Sequence, residues 1–181
     1  MKHFVLVLAS LVIAVSLAAE TFERSFETDL YGSFSYKDDF GGLGLAPGLA
    51  FTYGYAIGPT SELGLTLVRF SPWLAAASPV YQISYGVQYK HFWSPNWGDL
   101  GPWTPFLTYS LLLDQTLVTG TVGRGMAHHT RLGVGTNYVV LTGQHLVLET
   151  GWAQSSYTSL GEASTRSLSS VYASLGWRWL F

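Results

Sequence analysis

Tyr81-Gln82-Ile83-Ser84-Tyr85-Gly86-Val87-Gln88-Tyr89-Lys90-His91-Phe92-Trp93 is the stretch that decides the fold. Tyr81, Ile83, Tyr85, Val87, Tyr89, His91 and Trp93 fall on one side of a two-residue repeat, and Gln82, Ser84, Gly86, Gln88 and Lys90 on the other. Successive side chains of an extended strand point to opposite faces, so this is a strand with one bulky face and one small or polar face. The stretch from Phe70 to Tyr89 carries no charge and by length alone would suit a membrane helix. A helix would mix the two sets around its circumference, whereas the period of two keeps them apart.

The same alternation recurs outward in both directions. Between Leu43 and Ile57 the odd positions Leu45, Leu49, Phe51, Tyr53 and Tyr55 oppose Gly44, Ala46, Gly48, Ala50 and Gly54. Ser25 to Tyr36 sets Phe26, Leu30 and Phe34 against Glu27, Asp29 and Tyr31, and Glu62 to Phe70 sets Leu63, Leu65 and Leu67 against Glu62, Gly64 and Thr66. Further strands are expected over Thr104–Asp114, His129–Val140, His145–Ser155 and Ser167–Phe181, which brings the count to eight. The segments left between them at one end are Lys37–Gly42, Ser71–Pro79, Gln115–His128 and Ser156–Arg166. All are short, which excludes a plug domain or a large adhesive loop.

Composition decides what surrounds these strands. Charged residues make up 11% of the 181 residues, where a soluble domain carries roughly 25%. The bulky face is nearly free of charge, and almost every in-strand charge falls on the small face. A soluble barrel keeps its apolar residues within, so the pattern here is inverted and suits a membrane barrel with a crowded polar interior. In a bilayer every backbone group must be paired within the protein, which requires closure. The sequence thus predicts an all-β fold, a transmembrane eight-stranded antiparallel up-and-down β-barrel over residues 20–181. Formal charge of −2 gives no basis for nucleic-acid binding, and the absence of cysteine excludes disulfides, thiolate metal sites and a lipoprotein anchor.

Residues 1–19 read as an export signal. Met1-Lys2-His3 is followed by an apolar run from Phe4 to Leu17, with small residues suiting cleavage after Ala18 or Ala19. Removing Lys2 takes the net charge from −2 to −3. An even strand number places both chain ends in the periplasm and the longer connections outside the cell. Aromatic residues then ring both interfaces: Phe26, Tyr53, Tyr55, Tyr89, Trp93, Tyr138, Trp177, Trp179 and Phe181 below, Phe34, Tyr36, Tyr81 and Trp152 above. Arg69 is expected as the only outward charge, at the top of its strand, where an anionic surface would accept it.

The last strand, Val171-Tyr172-Ala173-Ser174-Leu175-Gly176-Trp177-Arg178-Trp179-Leu180-Phe181, alternates apolar residues up to a terminal Phe. It resembles the sorting signal that barrel-assembly machinery reads in bacterial outer-membrane proteins, with Trp177, Trp179 and Phe181 as its aromatic positions. The whole chain resembles the OmpA and OmpW type of small barrel, and Thr104-Pro105-Phe106-Leu107 is similar to the Pro-aromatic strand entry common there. That resemblance implies either passive passage of small molecules, as in OmpW, or a structural and surface-interaction role, as in OmpA and OmpX. Its implied partners are outer-membrane lipid, the assembly machinery, periplasmic chaperones and small-molecule solutes.

The candidate pore-lining residues are Glu27, Asp29, Glu62, Lys90, Asp114, Arg131, Glu149 and Arg178, five acidic against three basic. Charge inside a membrane protein is costly unless paired or wetted. Glycines and alanines such as Gly44, Ala46, Gly48, Gly133 and Gly135 leave room for a channel, whereas Tyr31, Phe106, Leu112, Leu168 and Tyr172 are large enough to refill it. The function expected is a narrow, cation-favouring porin-like channel or carrier for small molecules, with a structural or surface-interaction barrel without transport as the alternative. Glu62 and Lys90 fall on the same face of a hairpin in a register that allows an ion pair. No metal site or cofactor is expected, because His128 and His129 point to opposite faces. No catalysis is expected either. His128 and Thr130 share the lipid face, faintly similar to the His-x-Ser of lipid-A deacylases, but no carboxylate joins them and the triad does not assemble.

Overall fold

The structure, a computed structural model, describes residues 24–38, 44–73, 80–93, 103–118, 124–159 and 165–181. The expected export signal lies outside the described residues, as do residues 74–79 of the connection expected over Ser71–Pro79. Eight strands follow in chain order: β1 (Arg24–Asp38), β2 (Leu45–Gly58), β3 (Ser61–Trp73), β4 (Val80–Phe92), β5 (Trp103–Val118), β6 (Arg124–Leu141), β7 (Gln144–Ser159) and β8 (Thr165–Leu180). Each pairs antiparallel with the next, and β8 pairs with β1 to close the sheet. At the seam the Arg24 amide donates to the Phe181 carbonyl (2.8 Å) and the Phe181 amide to the Arg24 carbonyl (2.9 Å).

Strands extend further than the sequence pattern indicates, chiefly away from the seam. Arg124 through His128, expected in a connection, belong to β6, and Ser156–Ser159 continue β7. Pairing explains the gain: Gly125 faces Thr116 on one side and Ser159 on the other, so a polar composition does not stop the ladder. At the seam end Thr142-Gly143 turns the chain between β6 and β7, with Gly143 at φ +72°, a left-handed conformation that glycine adopts without a Cβ clash.

The two faces sort as the period-two reading requires. Leu30, Leu45, Leu65, Leu111, Val134, Leu148 and Leu175 are all exposed on the outside. Among residues whose side chains are described, Arg24 is the only exposed charge, and it sits at the seam end. Both aromatic girdles form. Near the seam Phe26 packs on Trp179 (centroids 5.9 Å) and Tyr53 on Phe181 (6.1 Å), with Trp103 joining Tyr138 at 4.6 Å. At the far end the Trp152 indole donates to the Tyr36 hydroxyl at 2.8 Å.

One expectation fails in β3. Arg69 does not face outward; it is 4% exposed and lies inside the barrel. The register against β2 shifts between Thr66 and Val68, and that against β4 between Thr66 and Arg69. One extra residue is therefore accommodated, and Leu67 and Val68 are both exposed in succession. A bulge of this kind inverts the parity of everything beyond it.

Candidate functional site: the barrel lumen

All eight residues expected to line the interior do point inward, and Arg69 and His129 join them. The arrangement is three tiers. Nearest the seam, Arg178 donates to Glu62, which also accepts from Ser25 (2.8 Å), and Lys90 Nζ contacts both carboxylate oxygens of Glu27 at 2.6 Å. Phe92, Phe106 and Val147 form an apolar cluster at the same level. The register does set Glu62 opposite Lys90, yet the expected ion pair between them is not made. The ammonium group of Lys90 reaches instead across the interior to β1, because in a narrow closed barrel a long side chain is as close to distant strands as to its ladder neighbour.

In the middle tier Arg131 approaches Glu149 at 3.4 Å, and the Tyr172 hydroxyl donates to the same carboxylate at 2.6 Å. Gln88 donates to Thr108 at 2.8 Å. In the tier away from the seam, Asp114 accepts from Gln82 and from Ser155 (3.0 Å), and His129 Nδ1 lies 2.6 Å from Ser155 Oγ and 3.1 Å from Asp114 Oδ2. His128, the neighbouring residue, is exposed on the outer face, so the two histidines do separate as strand geometry demands.

Among the residues whose side chains are described, every buried lysine or arginine also stands over an aromatic ring. The distances to the ring centroid are 3.8 Å for Arg69 over Tyr31, 3.8 Å for Arg131 over Tyr172, 4.8 Å for Lys90 over Phe106 and 5.1 Å for Arg178 over Phe92. Such contacts contribute about 2 kcal/mol or more when desolvated. These rings also occupy the space that the small residues leave. A Cβ on Gly48 would strike the Tyr31 ring, one on Gly135 the Phe106 ring, and one on Gly133 the Tyr172 hydroxyl. The glycines thus seat aromatic side chains, and the volume they vacate is filled. A cavity beside Asp29, Thr52, Gln88, Arg131 and Glu149 has room for about one water molecule.

The revised charge inventory is five acidic groups (Glu27, Asp29, Glu62, Asp114, Glu149) against four basic ones (Arg69, Lys90, Arg131, Arg178), a balance of −1 in place of the −2 read from the sequence. Ser155, His129 and Asp114 are the residue types of a hydrolytic triad, a grouping that the sequence reading missed because it spans three strands. Their geometry does not serve that chemistry. Serine and carboxylate share one imidazole nitrogen, while Nε2, which would have to take the serine proton, faces Arg69 Nη1 at 3.4 Å.

Comparison of the sequence with protein-family descriptions and with curated proteins finds no match. The fold does have counterparts among solved structures. Neisserial surface protein A superposes with a TM-score of 0.58 at 18% identity, over 88% of this chain and 97% of that one. The N-terminal β-barrel domain of Pseudomonas aeruginosa OprF gives 0.53 at 14% identity, over 87% and 97%. Both are eight-stranded outer-membrane barrels. The chain therefore has the transmembrane, eight-stranded, antiparallel barrel fold of the outer-membrane type, as its inverted surface requires.

Proposed function

We propose that this barrel is a structural and surface-interaction protein of the bacterial cell envelope whose lumen is a packed, ion-paired plug. The observation that carries the reading is the double use of the lumenal rings: Tyr31, Phe106 and Tyr172 fill the glycine-lined space and at the same time hold Arg69, Lys90 and Arg131. Three of the five acidic groups are ion-paired with a lysine or arginine within the interior, and a fourth, Asp114, is held by hydrogen bonds from Gln82 and Ser155 beside His129, so little free charge remains to draw ions through. In this reading both chain ends are periplasmic, the connections opposite the seam are exposed outside the cell, and Trp177, Trp179 and Phe181 serve as the sorting signal for the assembly machinery. No cofactor, nucleic acid or catalytic step enters it.

A porin-like channel or carrier for small molecules is the second reading, favoured by one observation. Asp29 stands outside the ion pairs and lines a small cavity with Thr52, Gln88 and Glu149. Acidic groups at a constriction select cations. Planar-bilayer recording of the purified barrel separates the two. Silence over many insertions at neutral pH supports the plug, and discrete cation-selective conductance weakened by Asp29→Asn or Glu149→Gln replaces it with the channel.

A further inference from the structure

We propose that His129, Asp114 and Arg69 form a proton-operated latch in the lumenal tier away from the seam, in which protonating the His129 imidazole drives the Arg69 guanidinium out of its place. This concerns the packing of the lumen and holds whether or not the barrel conducts.

The hydrogen-bond directions assign the state of the imidazole. Ser155 Oγ donates its own proton to Asp114 Oδ2 at 3.0 Å, so at 2.6 Å it must accept from His129, which places a proton on Nδ1. Arginine has donors only. Nε2, facing Arg69 Nη1 at 3.4 Å, is therefore the bare nitrogen that accepts. The neutral imidazole matches both neighbours. An imidazolium would keep the contact to Ser155 and Asp114 but set an N–H against an N–H, and a positive charge against a positive charge, on the Arg69 side.

Three charged groups act on His129: Asp114 from β5, Arg69 from β3 and Arg131 from the same strand. Asp114 attracts an added proton and the two guanidinium groups oppose it. Which of the two gives way follows from how each is held. Arg131 is bound to Glu149 and lies on Tyr172, whose hydroxyl is bound to the same carboxylate. Arg69 has no carboxylate at ion-pair distance among the described residues. It rests on the Tyr31 ring, with Tyr172 further off at 6.0 Å, and on His129 itself. Protonation does not overcharge the interior as a whole, since a fifth positive group brings the inventory to five against five. The conflict is local, between Nε2 and Nη1. Tyr31 is the element that senses its relief: its hydroxyl donates to the Phe70 carbonyl at 3.0 Å, and its ring covers Gly48.

Nitrogen-15 and aromatic NMR of the refolded barrel, titrated from about pH 8 to about pH 4.5, tests this across the range in which histidine changes charge. The expected result is a neutral Nδ1–H form that converts to imidazolium, with the Arg69 Nε–H and Tyr31 ring signals shifting over the same pH interval and the Arg131 signal unmoved. In His129→Gln, whose amide can both accept from Arg69 and donate to Ser155, those shifts are lost. A His129 that stays neutral throughout, one that titrates while Arg69 and Tyr31 stay still, or a His129→Gln barrel that keeps the response would each overturn the latch. The wild-type titration decides by itself should the variant fail to assemble.

Discussion

Removing Lys90 tests the lumenal network most directly. Its ammonium lies 2.6 Å from both oxygens of Glu27, and both residues are almost completely buried, Lys90 at 1% and Glu27 at 3% exposure. Deleting one partner of such a pair costs about 3–5 kcal/mol, because the other charge is left uncompensated. The two single changes are not equivalent. Lys90→Met leaves Glu27 two residues from Asp29 on the same face, with Arg178 as the nearby counter-charge, and belongs at the upper end of that range. Glu27→Gln leaves Lys90 still attracted by Glu149 and Asp29, and belongs at the lower end. The double change removes both charges and is expected to cost less than either single one, since replacing a whole buried pair is often close to neutral. At a urea dependence of about 2 kcal/mol per molar, a 4 kcal/mol loss lowers the midpoint by roughly 2 M. Tryptophan fluorescence of the barrel in lipid vesicles reads that shift. A double variant that loses the sum of the single losses, or a Lys90 that couples more strongly to its ladder partner Glu62 than to Glu27, refutes the reasoning.

Further outcomes follow from the steric and seam geometry. Gly86→Ala is expected to cost about 1–3 kcal/mol, since its Cβ would meet the Leu111 carbonyl and the Leu112 backbone, while Gly32→Ala, with nothing within 4 Å, shifts the urea midpoint little. Changing Trp179 and Phe181 together to Ala removes the ring contacts to Phe26 and Tyr53 and lowers the amount of heat-modifiable, folded barrel recovered from cell envelopes. Circular dichroism of the refolded chain shows a strand-dominated spectrum, because none of the described residues is helical.

The strands and their faces were legible because one rule, alternation, governs both, and because lipid outside and a crowded interior inside leave few exceptions. Arg69 is the exception that alternation could not foresee. Leu67 and Val68 are both apolar and both suit lipid, so nothing in the residues themselves marks the extra position; only the neighbouring ladders fix it. The interior partners were hidden for another reason. Sequence gives ladder neighbours, and from them Glu62 opposite Lys90 was correctly placed, but the lumen is narrow enough for Lys90 to choose Glu27 on β1, 63 residues away in sequence. Likewise, the small residues of the inner face were readable as free space. That Tyr31, Phe106 and Tyr172 turn into it depends on rotamers that parity does not specify.

The seam carries a consequence for the order of events during biogenesis. Arg24 and Phe181 exchange two backbone hydrogen bonds, and β1 and β8 are the strands farthest apart along the chain. The last strand of the barrel in chain order is thus the one that closes the sheet. Until it arrives, β1 has one unpaired edge that hydrocarbon cannot satisfy, and an unfinished sheet has no stable place in a bilayer. In hydrocarbon the sheet has a stable place only once that edge is paired, so closure of the ring and stability in the bilayer are one condition and not two.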